Sequence, residues 1–376
     1  MVGVLRELSN RGHQVRVASA ASLTGLAAAY GLELTPVGPD FRVGDEPLLV
    51  PELSRARERR LRRFPYTRKV LVETLARAAL ADTVRLMSQW RPDIVIRDPV
   101  EFAGLAAAEA AGLPHVTGRE NRFLPPDVWQ SELGGSLAAL GRAAGAGELE
   151  ADCLYRYLGL TPALPTFVTA TSALPDPREF GAYVATAMRF IRPRTPRRAK
   201  CTTGEVPRRR NRNAVLITFG SVYGSEKDLR TAAAAALGLP WPVIWAGRVP
   251  PGSHPGHDGQ VWLDFDDVLP QCAVIVTVGG FGTIMAAMRY GIPLVIVPSG
   301  ADHPTNAARC SALGVGVVIE REQLSAATLR ASIEEVAANP GFAARAAELA
   351  AEWGTLPDAD WAASQIEELA WGGRGK

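Results

Sequence analysis

Short β-branched runs alternate with helical periods along most of this chain, and that alternation restricts the fold more than any other feature. Residues 14–18, 32–37, 93–98 and 113–117 read as strands. Between them lie helical patterns. The first, around Val4, Leu5 and Leu8, closes at Arg11-Gly12-His13, and the next covers 20–30 and ends at Gly31. A long one over 71–90 is stopped by Arg91-Pro92, and an Ala-rich one over 102–111 is closed by Gly112. Strands that alternate with helices predict a parallel sheet covered on both faces.

Between Ile191 and Asn213 the texture changes. Nine basic residues, Arg192 to Arg212, crowd together with Pro193, Pro196 and Pro207 and without apolar periodicity. No aromatic residue is interleaved, so the stretch reads as a solvated connection rather than a nucleic-acid-binding arm. After it the alternation restarts, with strands over 214–219, 242–246, 260–263, 273–277, 292–298 and 316–319. Helices are read over 226–237, from the glycine-rich turn near 279 to Tyr290, over 306–313, and through the remainder to Ala370. The expectation is two doubly wound Rossmann-like domains in tandem: 1–192, a basic linker 193–213, and 214–355, with a last segment 356–376.

Composition narrows the function classes. At about 150 residues per domain, 376 residues suit two domains. Hydrophobic residues at 47% and charged ones at 21% exclude a mainly disordered chain. A net charge of +2 provides no global field for nucleic acid or an anionic membrane. Four cysteines without CxxC spacing argue against a disulfide framework or a zinc site, and favour a cytoplasmic setting. His254 and His257 have no third ligand nearby, so no metal is expected. The uncharged run 232–247 contains Pro240 and Pro242 and is shorter than the ~20 residues of a membrane span. Arg6 and Glu7 interrupt the start before any signal-peptide core can form.

The strongest chemical signal is the run Val274-Ile-Val-Thr-Val-Gly-Gly-Phe-Gly-Thr283. A buried strand enters a glycine-rich turn that opens a helix. Such a turn lets backbone N–H groups approach a phosphate, helped by the helix dipole, and Thr283 can add a hydroxyl. A second small-residue turn, Phe219-Gly220-Ser221, ends another strand. Parallel strands of an open α/β sheet end on one edge, so both turns can face one crevice. Asp302, His303 and Asn306 leave a further strand at that edge. An acid beside two phosphate-cradling turns suits a sugar carried on a diphosphate; the plainer reading is that Asp302 caps the helix after it.

These residues carry a resemblance. Gly279, Gly280, Gly282, Thr283, Gly291, Pro293, Pro298, Asp302, Asn306, Ala307, Arg309, Leu313, Gly314 and Gly316 match, in spacing, the donor-site signature of nucleotide-sugar glycosyltransferases of the GT-B fold. The branch is the actinobacterial macrolide and antibiotic type. Residues 217–221 and 91–99 extend the match, which is looser over 41–69 and 122–200.

The resemblance implies an inverting, metal-independent transfer without a cofactor. The co-substrate is a nucleotide-sugar donor held by the C-terminal domain, and the product a glycoside of a small apolar aglycone such as a polyketide, held by the N-terminal one. Ser221, Gly279, Gly280, Gly282 and Thr283 would bind the diphosphate, Asp302 and His303 the sugar, with Gly220 and Asn306 supporting the loops. Asp98 corresponds to the acid that orients the catalytic His; an exposed turn aspartate before Pro99 is the bland alternative. A terminal helix would cross back onto the N-terminal domain. A homodimer or an auxiliary protein stays open.

The chain departs from the family pattern in several places. The family begins with a strand and a loop that carries the catalytic His, before the helix at which this chain starts. His13, at the far end of that helix, is no substitute. An absent first strand predicts a gap inside the parallel sheet, and hence a natural start upstream of Met1. Val278 replaces a diphosphate-contacting His, and His303 replaces a Gln. The stretch 262–270 is short for base binding, and core packing suits Trp262 and Phe265 better than stacking. Ala286 replaces a ribose-gripping Glu, which favours dTDP over UDP. Two rival expectations remain: a non-catalytic homologue that binds a partner, and a nucleotide-sugar 2-epimerase-like enzyme.

Overall fold

The computed structural model of the chain describes residues 1–41, 63–118, 126–170, 188–192, 212–220, 225–249, 260–261 and 263–372. Two compact units emerge. One comprises Met1–Pro162, Leu174–Pro196 and Pro357–Lys376, the other Ala163–Ala173 and Arg197–Leu356.

In the first unit, α1 (Val2–Asn10), β1 (Arg16–Ser19), α2 (Thr24–Ala29) and β2 (Glu33–Pro36) follow one another. A helical run then passes through a π-helical stretch, Thr67–Ala76, into α3 (Arg77–Trp90). The sequence predicts an ordinary helix from 71; the π-helical stretch is a correction to that. Next come β3 (Val95–Arg97), α4 (Ala103–Ala110), β4 (His115–Gly118), α5 (Pro126–Ala144), β5 (Leu158–Thr161) and β6 (Met188–Phe190).

These strands do not make one sheet. β1 and β2 pair in parallel by themselves, while β3-β4-β5-β6 form a separate parallel sheet. This is where the sequence predicts a gap in the parallel sheet: among the described residues no strand joins β1 to β3. Val17, Val95 and Ile96, on the strands bordering that break, are half-buried, whereas all of β4 is buried. Inner strands of parallel sheets are normally covered on both faces.

The second unit holds β7 (Ala214–Thr218), α6 (Glu226–Ala236), β8 (Val243–Arg248), β9 (Gln260–Val261), β10 (Cys272–Thr277), α7 (Phe281–Tyr290), β11 (Leu294–Ile296), α8 (His303–Ala312), β12 (Gly316–Val318), α9 (Ala326–Ala338) and α10 (Pro340–Thr355). Its sheet runs in the order β12-β11-β10-β7-β8-β9. All pairs are parallel except β8 with β9, so the edge strand departs from the expected all-parallel arrangement. Valine and isoleucine from β7, β10 and β11 fill the core against Leu229, Leu329 and Ile333 of the covering helices. This is why the central strands read as unbroken apolar runs.

The last helix, α11 (Ala359–Gly372), belongs to the first unit. Ala362, Ala363 and Ile366 pack with Val4 and Leu8 of α1 in one buried cluster. Glu367 accepts from Arg11 at 2.7 Å and pairs with the His13 ring at 2.7 Å. His13 is thereby committed to holding the two helices together.

Candidate functional site

The turn between β10 and α7 is built by glycine. Gly279 has φ +92°, which only glycine adopts without strain, and a Cβ there would lie 3.2 Å from both the His303 carbonyl oxygen and Ile296 Cγ2. Gly280 occupies the N-cap position of α7 and has no side chain to cap it. Thr283 and Ile284 donate their N–H groups to the Gly280 carbonyl, while those of Phe281 and Gly282 have no partner among the described residues. Nor has the Thr283 hydroxyl. A Cβ on the exposed Gly282 would meet nothing within 4 Å. Unpaired N–H donors, a helix dipole and an open approach are the features that anion sites at helix N-termini use.

Two neighbouring strand ends meet this turn. Gly220, after β7, has φ +68°, and its carbonyl accepts from the Arg248 N–H at 3.1 Å, at the end of β8. A Cβ on Gly220 would lie 3.8 Å from Val278 Cγ2. Val278 itself is buried in the same core cluster as Phe219. Ser221, Trp262, His254 and His257 lie outside the described residues.

The loop after β11 supplies the third wall. The helix expected from 306 begins at His303, because Asp302 takes the N-cap position and Pro304 fits the first turn. Asp302 makes no side-chain cap bond; its Oδ2 accepts instead from Asn306 Nδ2 at 2.8 Å. The same Asn306 nitrogen donates to the Gly279 carbonyl at 3.0 Å. His303 is only 5% exposed, and its Nδ1 accepts from the Gly300 N–H at 3.4 Å. Its Nε2 would lie 3.9 Å from a Cβ on Gly280, so the ring backs the turn. Burial holds its pKa below the usual imidazole range, against the opposing pull of Asp302.

In the first unit, Asp98 stands exposed at the carboxyl end of β3, with Oδ1 accepting from the Val100 N–H at 3.1 Å. Three residues on, Glu101 turns both carboxylate oxygens onto the Gly104 N–H, at 3.0 and 2.9 Å. Burial pushes its pKa up, opposed by that N–H and by Arg97. A cavity of about 340 Å³ lies between the π-helical stretch and α5, lined by Arg68, Lys69, Glu73 and Gly134-Gly135-Ser136 among others.

Sequence reasoning gave no role to Glu101 or to Arg309. For Glu101 the available signal was an acid two residues before a helix start. Arg309 matches the family spacing, but its environment is visible only in three dimensions. Among the described residues there is no cluster of three or more metal-ligating side chains and no helix long and apolar enough to cross a membrane.

Comparison with known proteins bears on this geometry. The C-terminal domain model of the erythromycin biosynthesis protein CIII-like family matches residues 258–369, and its N-terminal domain model matches 6–120. The chain belongs to the actinobacterial natural-product glycosyltransferases of the GT-B fold. Erythronolide mycarosyltransferase of Saccharopolyspora erythraea is 24% identical, over 96% of this chain and 93% of the relative. Tylactone mycaminosyltransferase of Streptomyces fradiae is 27% identical, over 98% and 89%. The crystal structure of glycosyltransferase VinC in complex with dTDP superposes with a TM-score of 0.71, at 24% identity over 99% of this chain and 96% of that one. As a glycosyltransferase of this family, the chain carries the family's glycine turn, Asp302 and Asn306 together at one edge of the second unit.

Proposed function

We propose that the second unit of this glycosyltransferase holds a nucleoside diphosphate sugar, with dTDP preferred over UDP, and that the sugar passes to a hydroxyl of a small apolar aglycone such as a polyketide. The observation that carries this reading is the turn at Gly279–Thr283. Its free N–H groups and hydroxyl sit at a helix N-terminus, with Asp302 pinned beside them by Asn306. A diphosphate seated there is stabilised as its charge grows on departure, without a metal. Asp302 and His303 line the sugar side, and Ser221 adds a hydroxyl. The acceptor hydroxyl attacks the anomeric carbon from the face opposite the diphosphate, which inverts the configuration. Asp98, at the carboxyl end of β3, occupies the place of the acid that orients a His base, and within the given sequence no His takes that base's place. VinC with bound dTDP supports the choice of base, as does Ala286, which cannot grip a ribose 2′-hydroxyl. The aglycone binds in the first unit.

A second reading has one observation in its favour. Val278 is packed into the core and donates nothing to the turn, as in a homologue that keeps the fold and binds without transferring.

Thermal unfolding with dTDP, UDP and GDP separately tests the donor site. Ligand at ~100 times its dissociation constant adds ~2.7 kcal/mol. The largest shift is expected with dTDP; no shift with any of the three overturns the donor site. Product mass and anomeric configuration from dTDP-sugar and a polyketide aglycone then separate transfer from binding alone.

A further inference from the structure

Arg309, on α8, is 1% exposed, and all three of its guanidinium nitrogens are buried without a hydrogen-bond partner among the described residues. A charge taken out of water and left unpaired costs several kcal/mol, so a fold that keeps one either gains something from it or tolerates a defect. The guanidinium does not lie at random. It stacks 5.3 Å above the ring of Phe167, and that ring lies 6.4 Å from Phe281, the first residue of α7. Two aromatic rings, Phe167 and Phe281, therefore link the charge to the turn at Gly279–Thr283. Arg309 also follows Asn306 by three positions and Asp302 by seven, which puts all three on one face of α8. Asn306 ties that face to the Gly279 carbonyl.

Burial lowers the pKa of Arg309 only to about 10, with Asp302 acting in the opposite sense, so the group remains cationic at neutral pH. Asp302 is committed to Asn306 at 2.8 Å and supplies at most a distant counter-charge. We infer that Arg309 is a positioning residue for the donor: a buried counter-charge behind the glycine turn whose partner is the diphosphate of the bound nucleotide. It touches no ligand atom. Its field acts through Phe167 and Phe281, where little water screens it. The inference rests on the donor site proposed above.

The test compares wild type with R309M and R309K. The probes are whichever of dTDP, UDP and GDP binds the wild type, by calorimetry, and the matching uncharged nucleoside, by ligand-observed NMR. R309M is expected to bind the diphosphate roughly tenfold more weakly and the nucleoside within about twofold of wild type. R309K, which keeps the charge, is expected to stay within about threefold for both. The selective loss in R309M should persist at high salt, because the interaction is buried. An unchanged diphosphate affinity in R309M overturns the inference. So does an equal weakening of diphosphate and nucleoside, which marks a packing role. If R309M does not fold, R309Q carries the same comparison with the charge removed and polarity kept. A wild-type chain that binds none of the three diphosphates overturns the donor site, and this inference with it.

Discussion

Asn306 holds Gly279 and Asp302 with a single nitrogen, donating to the glycine carbonyl at 3.0 Å and to the carboxylate at 2.8 Å. One amide thus couples the glycine turn of one strand to the acid that follows another. Asn306→Ala leaves a buried carbonyl without its donor and frees Asp302. We expect a loss of about 1–3 kcal/mol in urea unfolding, together with a rise in donor KM larger than the fall in kcat. An unchanged donor KM would show that Asp302 does not need this tether.

The two ends of the turn should respond to methyl groups in opposite ways. Gly279→Ala forces a Cβ into φ +92° and to 3.2 Å from the His303 carbonyl, so about 1–3 kcal/mol of stability is expected to go. Gly282→Ala meets no protein atom and sits in the first turn of a helix, so stability should hold or rise by up to ~1 kcal/mol. The same methyl projects into the space assigned to the diphosphate and should raise donor KM severalfold. Paired unfolding curves and donor titrations check both halves.

Much of this was legible in the sequence. The β-branched runs of β7, β10 and β11 announce buried parallel strands, and the spacing from Gly279 to Gly316 announces the edge where the glycine turn meets Asp302 and Asn306. What was not legible depends on distant neighbours. β5 is Leu-Gly-Leu-Thr and β6 is Met-Arg-Phe, too short and too mixed to carry a strand period. The π-helical stretch has no local signature, since Thr67–Ala76 also suits an α-helix. His303 reads as a free polar group in a loop, yet Pro304 and Asp302 let the helix start there and bury it. Arg309 reads only as a residue at the family spacing until the Phe167 ring is placed beneath it.

Asp98 offers a clean separation of catalysis from stability. Its side chain is exposed, and asparagine can still accept from the Val100 N–H through its carbonyl oxygen. Asp98→Asn should therefore leave the unfolding midpoint within ~0.5 kcal/mol of wild type. As the orienting acid, its loss should lower kcat by about a hundredfold with little change in donor KM. Full activity in Asp98→Asn would assign the residue to the turn alone.

A last prediction concerns the opposite end of the first sheet, where His115 opens β4. Its ring is 1% exposed, Nε2 pairs with Glu109 at 2.9 Å, and Tyr157 meets it edge-on at 5.0 Å. Arg156 shares Glu109, and Arg97 is the other charge acting on the ring. Burial holds the His115 pKa below the ordinary imidazole range, more strongly than Glu109 raises it. The unfolded chain therefore binds this proton more readily than the folded one. Its contribution is fully present above about pH 6.5 and is lost as the pH falls below that towards the folded pKa. Glu109, also held below its usual range, adds a second loss under pH 4.5. Unfolding midpoints of wild type and His115→Gln from pH 8 to 5 should differ most above pH 6.5 and converge towards pH 5. Parallel curves over that range would show that the ring is not the titrating group.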